Sequence, residues 1–344
     1  MNKKNICSVF LGIVMSLLVF NDSLAGETSY IDESRIRRYI GELRDRKTAI
    51  QARINLATAG SKAVPCLVDA AVDADEKSSV RVMAINILKQ IKDPSAAERL
   101  IPLLKDEDVK IRRVTAKTLG ALKDKKATEM LNEALLNDYD PQVRFFAVRS
   151  LEQIGDPRVL DTYILLLKDN DARIRLFSVM ALGKIKSTKA VGALSKLTND
   201  IDANIRLALA KTLGKTGDTS CIEPLAVLLS DPHPNVRRHA IEAISYIKNP
   251  RSTEALMNIA NKSGDKNMRY FAVLGLERLG DKKTEGLLIN LLNDESMKVR
   301  VASASALGVV NTEKVKTALK TVLDDESSKV RNAARRSLEE LEAK

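Results

Sequence analysis

An apolar residue followed by arginine recurs at intervals of 31 or 32 positions between residues 80 and 331. Chance does not hold such a register over nine copies, and a fixed period of about 20–50 residues is typical of repeat proteins. Each unit of such a protein stacks on its neighbours, so the period alone predicts a solenoid. The nine copies are Val80-Arg81, Ile111-Arg112, Val143-Arg144, Ile174-Arg175, Ile205-Arg206, Val236-Arg237, Met268-Arg269, Val299-Arg300 and Val330-Arg331.

Each repeat encodes two helices. If the apolar residue of each pair is position 0, apolar or small residues recur near positions +4, +8 and +11, as in Val143, Ala147, Leu151 and Ile154. This spacing places them on one face of an α-helix, which we name the B helix. A second apolar segment, the A helix, follows, and Asp, Asn, Ser or Thr at positions −3 and +13 predict a cap at the start of each helix. The pattern predicts an all-α fold, a right-handed α-solenoid of about ten helical hairpins, or about twenty helices.

The first 25 residues have the pattern of a secretory signal peptide. Lys3 and Lys4 precede an apolar run over residues 6–20, and Ser23-Leu24-Ala25 fits a small-x-small cleavage site. The run is short for the ~20 residues of a membrane span, which favours cleavage over an uncleaved anchor. Cleavage after Ala25 removes two lysines and one aspartate and lowers the net charge from +11 to +10. We therefore expect an exported, soluble chain, periplasmic or extracellular.

The remaining residues divide into a repeat region and two ends. Residues 26–47 are predicted to form an N-terminal capping helix, residues 48–329 the repeat solenoid, and residues 330–344 a C-terminal capping helix, because terminal repeats need polar outer faces. Cys66 and Cys221 lie five repeats apart, which is too far for the ~7 Å that a disulfide allows between Cα atoms. Both are predicted to pack as small apolar residues.

The repeat resembles the HEAT-repeat family, in particular the short HEAT-like repeats of the phycobilisome-lyase type. Residues 166–183, LLKDNDARIRLFSVMALG, match that unit of Asp, spacer residues, Val-Arg, Ala and Leu-Gly. The resemblance implies that an aspartate and an arginine six residues apart take part in a hydrogen-bonded ladder between successive repeats. It leaves one rung unassigned, because Ser263 stands where an aspartate is expected before Arg269. The ladder residues are Asp106 and Arg112, Asp138 and Arg144, Asp169 and Arg175, Asp200 and Arg206, Asp231 and Arg237, Asp294 and Arg300, and Asp325 and Arg331.

Residues that carry catalysis or bind cofactors are scarce. The chain has two histidines, His233 and His239, and a spacing of six does not place a metal-binding pair on one helix face. It has neither a glycine-rich phosphate loop nor a Ser or Cys nucleophile with a plausible base. We therefore predict no enzymatic activity, no cofactor and no metal. A lyase-like or chromoprotein-maturation role is the alternative that the resemblance implies.

The basic charge raises the question of polyanionic partners. Nucleic acid is disfavoured, because the chain lacks Trp and its predicted export removes it from the genome. Weak binding to anionic lipid headgroups or to envelope polysaccharide stays an alternative, and its affinity would depend on salt.

The residues at positions +2 and +6 of the B helices turn away from the apolar stripe, and polar side chains are expected there. They are instead a mixture of apolar and basic residues, of the kind that anchor protein interfaces. In HEAT solenoids this edge lines the concave face, so the resemblance implies a scaffold that binds a protein partner there; packing between neighbouring B helices is the alternative explanation. The candidate partner-binding residues are Val82, Arg113, Lys117, Phe145, Arg149, Leu176, Met180, Leu207, Lys211, Arg238, Tyr270 and Leu274.

Overall fold

The computed structural model describes residues 32–343. The predicted signal peptide, residues 1–25, lies outside the described residues, as do residues 26–31 of the predicted capping segment and Lys344. Within the described residues the chain is all-α and contains no strand.

Ten hairpins follow one another, each an A helix and then a B helix, which confirms the predicted all-α solenoid of about ten hairpins. The A helices are Glu33–Glu42, Val64–Val72, Ala97–Leu100, Thr128–Asn137, Leu160–Leu166, Val191–Leu194, Ile222–Leu228, Pro250–Lys262, Glu285–Asn290 and Glu313–Thr321. The B helices are Ala49–Ala59, Ser78–Ile91, Val109–Leu122, Pro141–Ile154, Ala172–Ile185, Ala203–Thr216, Pro234–Ile244, Lys266–Leu279, Met297–Leu307 and Ser328–Glu342.

The apolar stripe of the B helices forms the core. Val143, Ala147 and Leu151 are fully buried, as are their counterparts in the other repeats. Burying apolar surface is the main favourable term in folding, so the stripe explains why each B helix forms against its neighbours. Consecutive B helices contact one another within each unit described below, and the A helices other than Val191–Leu194 contact the B helix of their own hairpin. In that hairpin the 3-10 turn Ser195–Leu197 contacts the B helix.

Side-chain caps and left-handed residues separate the helices. The +13 residues Asp93, Asp124, Asp156, Asp218, Asn249, Asp281 and Thr312 each accept a hydrogen bond from a backbone N–H at the start of the following helix. Ser187 caps nothing, and neither do Ser296 and Ser327 at position −3. Gly155, Gly217 and Gly280 end their B helices in the left-handed conformation, as glycine does most easily.

The chain divides into two compact units, Met1–Leu122 and Lys123–Lys344. In the first, the helix Glu33–Glu42 lies within the segment predicted to cap the solenoid, and its Ile36, Tyr39 and Ile40 are buried. It forms the A helix of the first hairpin by packing on Ala49–Ala59. In the second, the last B helix starts at Ser328, two residues before the predicted start of the C-terminal cap.

Cys66 and Cys221 are free and buried. Burial disfavours the thiolate and raises the pKa of the Cys66 thiol, and it raises the pKa of Cys221 to about 11. No helix in the described part of the chain is long and apolar enough to cross a membrane.

Candidate functional site

The repeated arginine joins each repeat to the next. Arg206 donates from Nε and Nη2 to the Asp231 carboxylate, at 2.6 and 3.1 Å, and from Nη1 to the backbone carbonyl of Asp200, at 2.5 Å. The carboxylate therefore comes from the aspartate 25 residues later, and the aspartate six residues earlier contributes its carbonyl. A planar guanidinium with five donors suits this bridging position. The same carboxylate pairing joins Arg81 to Asp106, Arg175 to Asp200, Arg269 to Asp294, and Arg300 to Asp325.

The ladder aspartates have a second role in the loop before each B helix. Asp231 accepts a hydrogen bond from the His233 backbone N–H at 2.8 Å, and the other ladder aspartates bind the N–H two residues later in the same way. Burial opposes ionisation of Asp231, but the hydrogen bonds from Arg206 and from His233 outweigh it, so the pKa of this carboxyl lies below its usual value. These aspartates fix both the loop and the repeat junction.

The rungs of Arg144 and Arg237 depart from this geometry. Arg144 donates to the Asp138 carbonyl at 2.8 Å, but within the described residues no ion pair joins it to Asp169. Arg237 donates to the Asp231 carbonyl at 2.8 Å. Its Nη2 lies 3.6 Å from the carboxylate of Asp265. Arg112 and Arg331 donate to the carbonyls of Asp106 and Asp325, at 2.9 and 2.7 Å, as Arg206 does to the carbonyl of Asp200.

The repeat with Ser263 keeps the carbonyl half of its rung. Arg269 donates to the Ser263 carbonyl at 2.9 Å, as its counterparts do to the carbonyl of an aspartate. The Ser263 hydroxyl accepts the Asp265 backbone N–H at 3.2 Å, in place of an aspartate carboxylate. Serine thus reproduces the loop but leaves the preceding arginine without its usual carboxylate.

The twelve candidate partner-binding residues all reach the surface. The +2 residues other than Arg238 are half-buried between neighbouring B helices, and so is Leu274. The half-buried residues are Val82, Arg113, Phe145, Leu176, Leu207, Tyr270 and Leu274. The exposed residues are Lys117, Arg149, Met180, Lys211 and Arg238.

Aromatic side chains gather at two places along the B helices of the second unit. The Phe145 ring lies 5.7 Å from the Phe177 ring in an edge-to-face arrangement, and Arg173 lies 4.7 Å over its face. Tyr270 and Phe271 form the second cluster, with ring centres 5.4 Å apart. Such pairs stabilise beyond the area that they bury, which keeps these rings in place at the surface.

Position +10 of the repeats belongs to the same surface, although the predicted partner-binding residues all lie at +2 and +6. It carries Lys184, Lys215, Tyr246, Arg278 and Val309, and the side chains of Tyr246 and Val309 are 56% and 57% exposed. A helical wheel places +10 beside +2 and +6, so listing this position would have found them. We name the side chains at +2, +6 and +10 of the second unit's B helices the B-helix surface.

The two histidines make no metal site. His233 is exposed, and Nδ1 of His239 lies 2.8 Å from the Asn235 carbonyl oxygen. Among the described residues no group of three or more His, Cys, Asp or Glu side chains is placed to hold a metal ion.

Comparison with known proteins identifies the repeat. The sequence-family model for HEAT repeats matches seven overlapping segments of the chain: residues 42–108, 64–140, 97–163, 128–200, 160–225, 192–264 and 253–339. No curated protein matches the chain in sequence.

Three solved structures are similar to this chain at low identity. An engineered protein is 18% identical over 89% of this chain and 98% of its own, with a TM-score of 0.53. The complex of CpcE and CpcF of phycocyanin lyase from Nostoc sp. PCC7120 is 20% identical over 71% of this chain and 94% of its own, with a TM-score of 0.41. Human deoxyhypusine hydroxylase in complex with glycerol is 19% identical over 82% and 96%, with a TM-score of 0.34.

Proposed function

Because this chain belongs to the HEAT-repeat family, we propose that it is a non-catalytic scaffold that binds an acidic, apolar protein segment along its B-helix surface. One observation carries the proposal: this surface combines accessible apolar side chains with three cations, Arg149, Lys211 and Lys215, that form no ion pair among the described residues. The arginine ladder is a poor candidate for the binding site, because its guanidinium groups are already bonded within the repeats.

The apolar part of the surface supports a protein partner. The side chains of Met180 and Tyr246 are 40% and 56% exposed, and Phe145, Leu176 and Leu207 are half-buried beside them. Contiguous apolar patches on a soluble protein are typical of binding surfaces. Aromatic and arginine side chains together commonly anchor such interfaces.

The charges on the surface favour an acidic segment. Arg149, Lys211 and Lys215 form no ion pair among the described residues. Unpaired positive charges attract an acidic partner and speed its association, and they repel a basic partner. A segment with both acidic and large apolar residues therefore fits this surface better than a purely polar polyanion.

Two further observations support a non-catalytic role. The thiols of Cys66 and Cys221, the two cysteines among the described residues, are buried and have pKa values raised by burial, so neither is a ready nucleophile. The ladder carboxylates are bonded to arginine and to backbone N–H groups, which suits structure better than acid–base chemistry.

Export is the second part of the proposal, and it rests on the sequence of residues 1–25. Expression of the full chain in a Gram-negative bacterium, followed by fractionation and intact-mass measurement, tests it. We expect a periplasmic protein that has lost residues 1–25. A full-length mass in the cytoplasmic fraction would contradict it.

Binding is tested with a fluorescent peptide of alternating glutamate and leucine. Phe145→Asp, Leu176→Asp and Tyr270→Asp are each expected to weaken binding about tenfold, a loss of about 1.4 kcal/mol. Leu165→Asp is the matched control, because Leu165 is 63% exposed but lies on an A helix. Thermal unfolding would show that each variant is folded.

The same assay separates the alternative partners. If the three B-helix variants bind the peptide as the natural chain does, the proposed surface is wrong. If vesicles containing an anionic lipid bind with strong salt dependence and the three variants bind them equally well, the polyanion alternative is correct.

A further inference from the structure

The B-helix surface contains a depression between the helices Ala203–Thr216 and Pro234–Ile244. Its volume is about 370 Å³. Lys211 and Lys215 line one side, and His239, Glu242 and Tyr246 line the other. We propose that this depression is the anchoring subsite for one carboxylate of the bound segment, with a large apolar group of the same segment against Tyr246. This inference rests on the proposed function and adds where and how the segment is held.

Close helix packing forms the bottom of the depression. A Cβ atom at Gly214 would lie only 2.7 Å from the Cβ of Ala243, so glycine is needed for the two helices to approach this closely. Gly214 occupies position +9 of its repeat, and Tyr246 occupies +10 of the next repeat, two residues after the helix Pro234–Ile244 ends. Because glycine has no side chain to fill the space in front of Tyr246, that space stays open.

Comparison with the neighbouring repeats explains why Lys215 is unpaired. Elsewhere on this surface a basic residue at +10 binds the +9 side chain of the preceding B helix. Lys184 pairs with Glu152 at 2.7 Å, and Arg278 donates to the hydroxyl of Ser245 at 2.6 Å.

Lys215 is the exception, because position +9 of its preceding helix is Gly183. Thr212 occupies the space beside that glycine, where a Cβ would lie 2.6 Å from the threonine hydroxyl. Among the described residues neither Lys215 nor Lys211 forms an ion pair or a side-chain hydrogen bond. The sequence therefore supplies two free ammonium groups on one side of a single depression.

The opposite side determines what accompanies the carboxylate. The Tyr246 ring is covered on one face by Arg278, whose guanidinium carbon lies 4.5 Å from the ring centre, while the side chain stays exposed. An aliphatic or aromatic group can pack against the rest of this ring. Glu242 contributes one negative charge, which leaves the five lining groups net positive but repels a second anion.

This arrangement favours a single carboxylate beside an apolar group. The carboxylate can belong to an Asp or Glu side chain or to a chain terminus. Both present the same chemistry to Lys211 and Lys215, and the probes below distinguish them.

The test uses acetylated ten-residue peptides of alternating glutamate and leucine, with free and amidated C-termini. K211E/K215E is expected to lower the affinity of the full chain for these probes at least about tenfold. The matched control K282E/K283E makes the same change in net charge at two exposed lysines at the start of an A helix, and it is expected to change affinity less than about twofold.

Two additional readouts report on the contact itself. Carbodiimide joins amines to carboxylates that touch, so mass spectrometry should find the peptide cross-linked to Lys211 or Lys215. A peptide of alternating lysine and leucine should bind K211E/K215E better than it binds the natural chain. If only the free C-terminus binds, the carboxylate is terminal; if the amidated peptide binds equally, it is a side chain.

The two proposals fail in different ways. If Phe145→Asp weakens binding of the peptide about tenfold, but K211E/K215E does not change the affinity and no cross-link forms at Lys211 or Lys215, the subsite is wrong and the B-helix surface stands. If the natural chain binds no peptide at millimolar concentration, both the subsite and the proposed partner class are wrong.

Discussion

Two consecutive repeat junctions of the second unit differ in how closely the arginine of one repeat approaches an aspartate of the next repeat. At the first, Arg206 and Asp231 are both buried and meet at 2.6 Å. At the second, Arg237 reaches Asp265 only at 3.6 Å, and that carboxylate is 38% exposed. The two cases differ because Ser263 stands where the aspartate would be. The comparison shows that the loop geometry survives without the carboxylate, while the tight ionic contact does not.

Removing the carboxylate of the tight junction should have the largest effect. Asp231→Asn leaves the Arg206 guanidinium buried without its ionic partner, and breaking a buried pair costs about 3 kcal/mol or more. We expect the free energy of unfolding in urea to fall by about that amount. A fall below about 1 kcal/mol would show that the buried pair contributes little.

Converting the loose junction into a tight one should be the next largest effect. Ser263→Asp restores an aspartate whose backbone already accepts the Arg269 guanidinium as in the other repeats. Because a hydrogen bond to a charged group contributes about 1.5–3 kcal/mol, and part of this is lost to desolvation, we expect stabilisation by about 1–2 kcal/mol. Urea denaturation would measure it. Unchanged stability, with Arg237 still near Asp265 in a crystal structure of the variant, would contradict the expectation.

The pH dependence of stability should distinguish the tight junction from its disrupted form. The folded pKa of Asp231 lies below its usual value, so its contribution is complete above about pH 4 and is lost as the pH falls through the folded pKa. The difference in unfolding free energy between the natural chain and Asp231→Asn should therefore narrow from pH 5 to pH 3. If this difference in unfolding free energy stays constant from pH 5 to pH 3, ionisation of Asp231 does not cause it.

The smallest effect is expected at the loose junction itself. Asp265→Asn keeps a side-chain oxygen to accept the Asn267 backbone N–H at the helix start. It removes only a long, partly exposed ionic contact, and such contacts contribute about 0–1 kcal/mol. We expect a loss below about 0.5 kcal/mol in the same urea experiment. A loss near that of Asp231→Asn would show that the 3.6 Å contact is as strong as the 2.6 Å one.

Sequence patterns predicted the helices well because burial enforces them. Val143, Ala147 and Leu151 lie in the core at the spacing that identified the B helix, which runs from Pro141 to Ile154. Single-residue capping was less predictable. Ser187 has the right chemistry and position but makes no cap hydrogen bond, because a short hydroxyl reaches the backbone N–H groups only in a narrow range of side-chain angles.

The partner of the ladder arginine could not be chosen from sequence. A period of 31 and a spacing of six place one aspartate six residues before each arginine and another 25 residues after it. Both are near in the fold, and the stacking of the repeats decides that Arg206 takes the carboxylate of Asp231 and the carbonyl of Asp200. The half-buried state of Phe145 and Leu176 also depends on neighbouring helices, which a helical wheel of one helix does not contain.

The 25-residue reach of the arginine has a consequence for how such a chain can change its length. Each rung needs only an arginine in one repeat and an aspartate in the next. If one whole repeat is deleted or duplicated, each remaining arginine is therefore still followed by an aspartate at the right spacing. A gene that gains or loses a segment of about 93 base pairs would give a shorter or longer chain whose remaining junctions still fit. The number of repeats can thus change in whole-repeat steps while the arginine–aspartate contact of the ladder is kept.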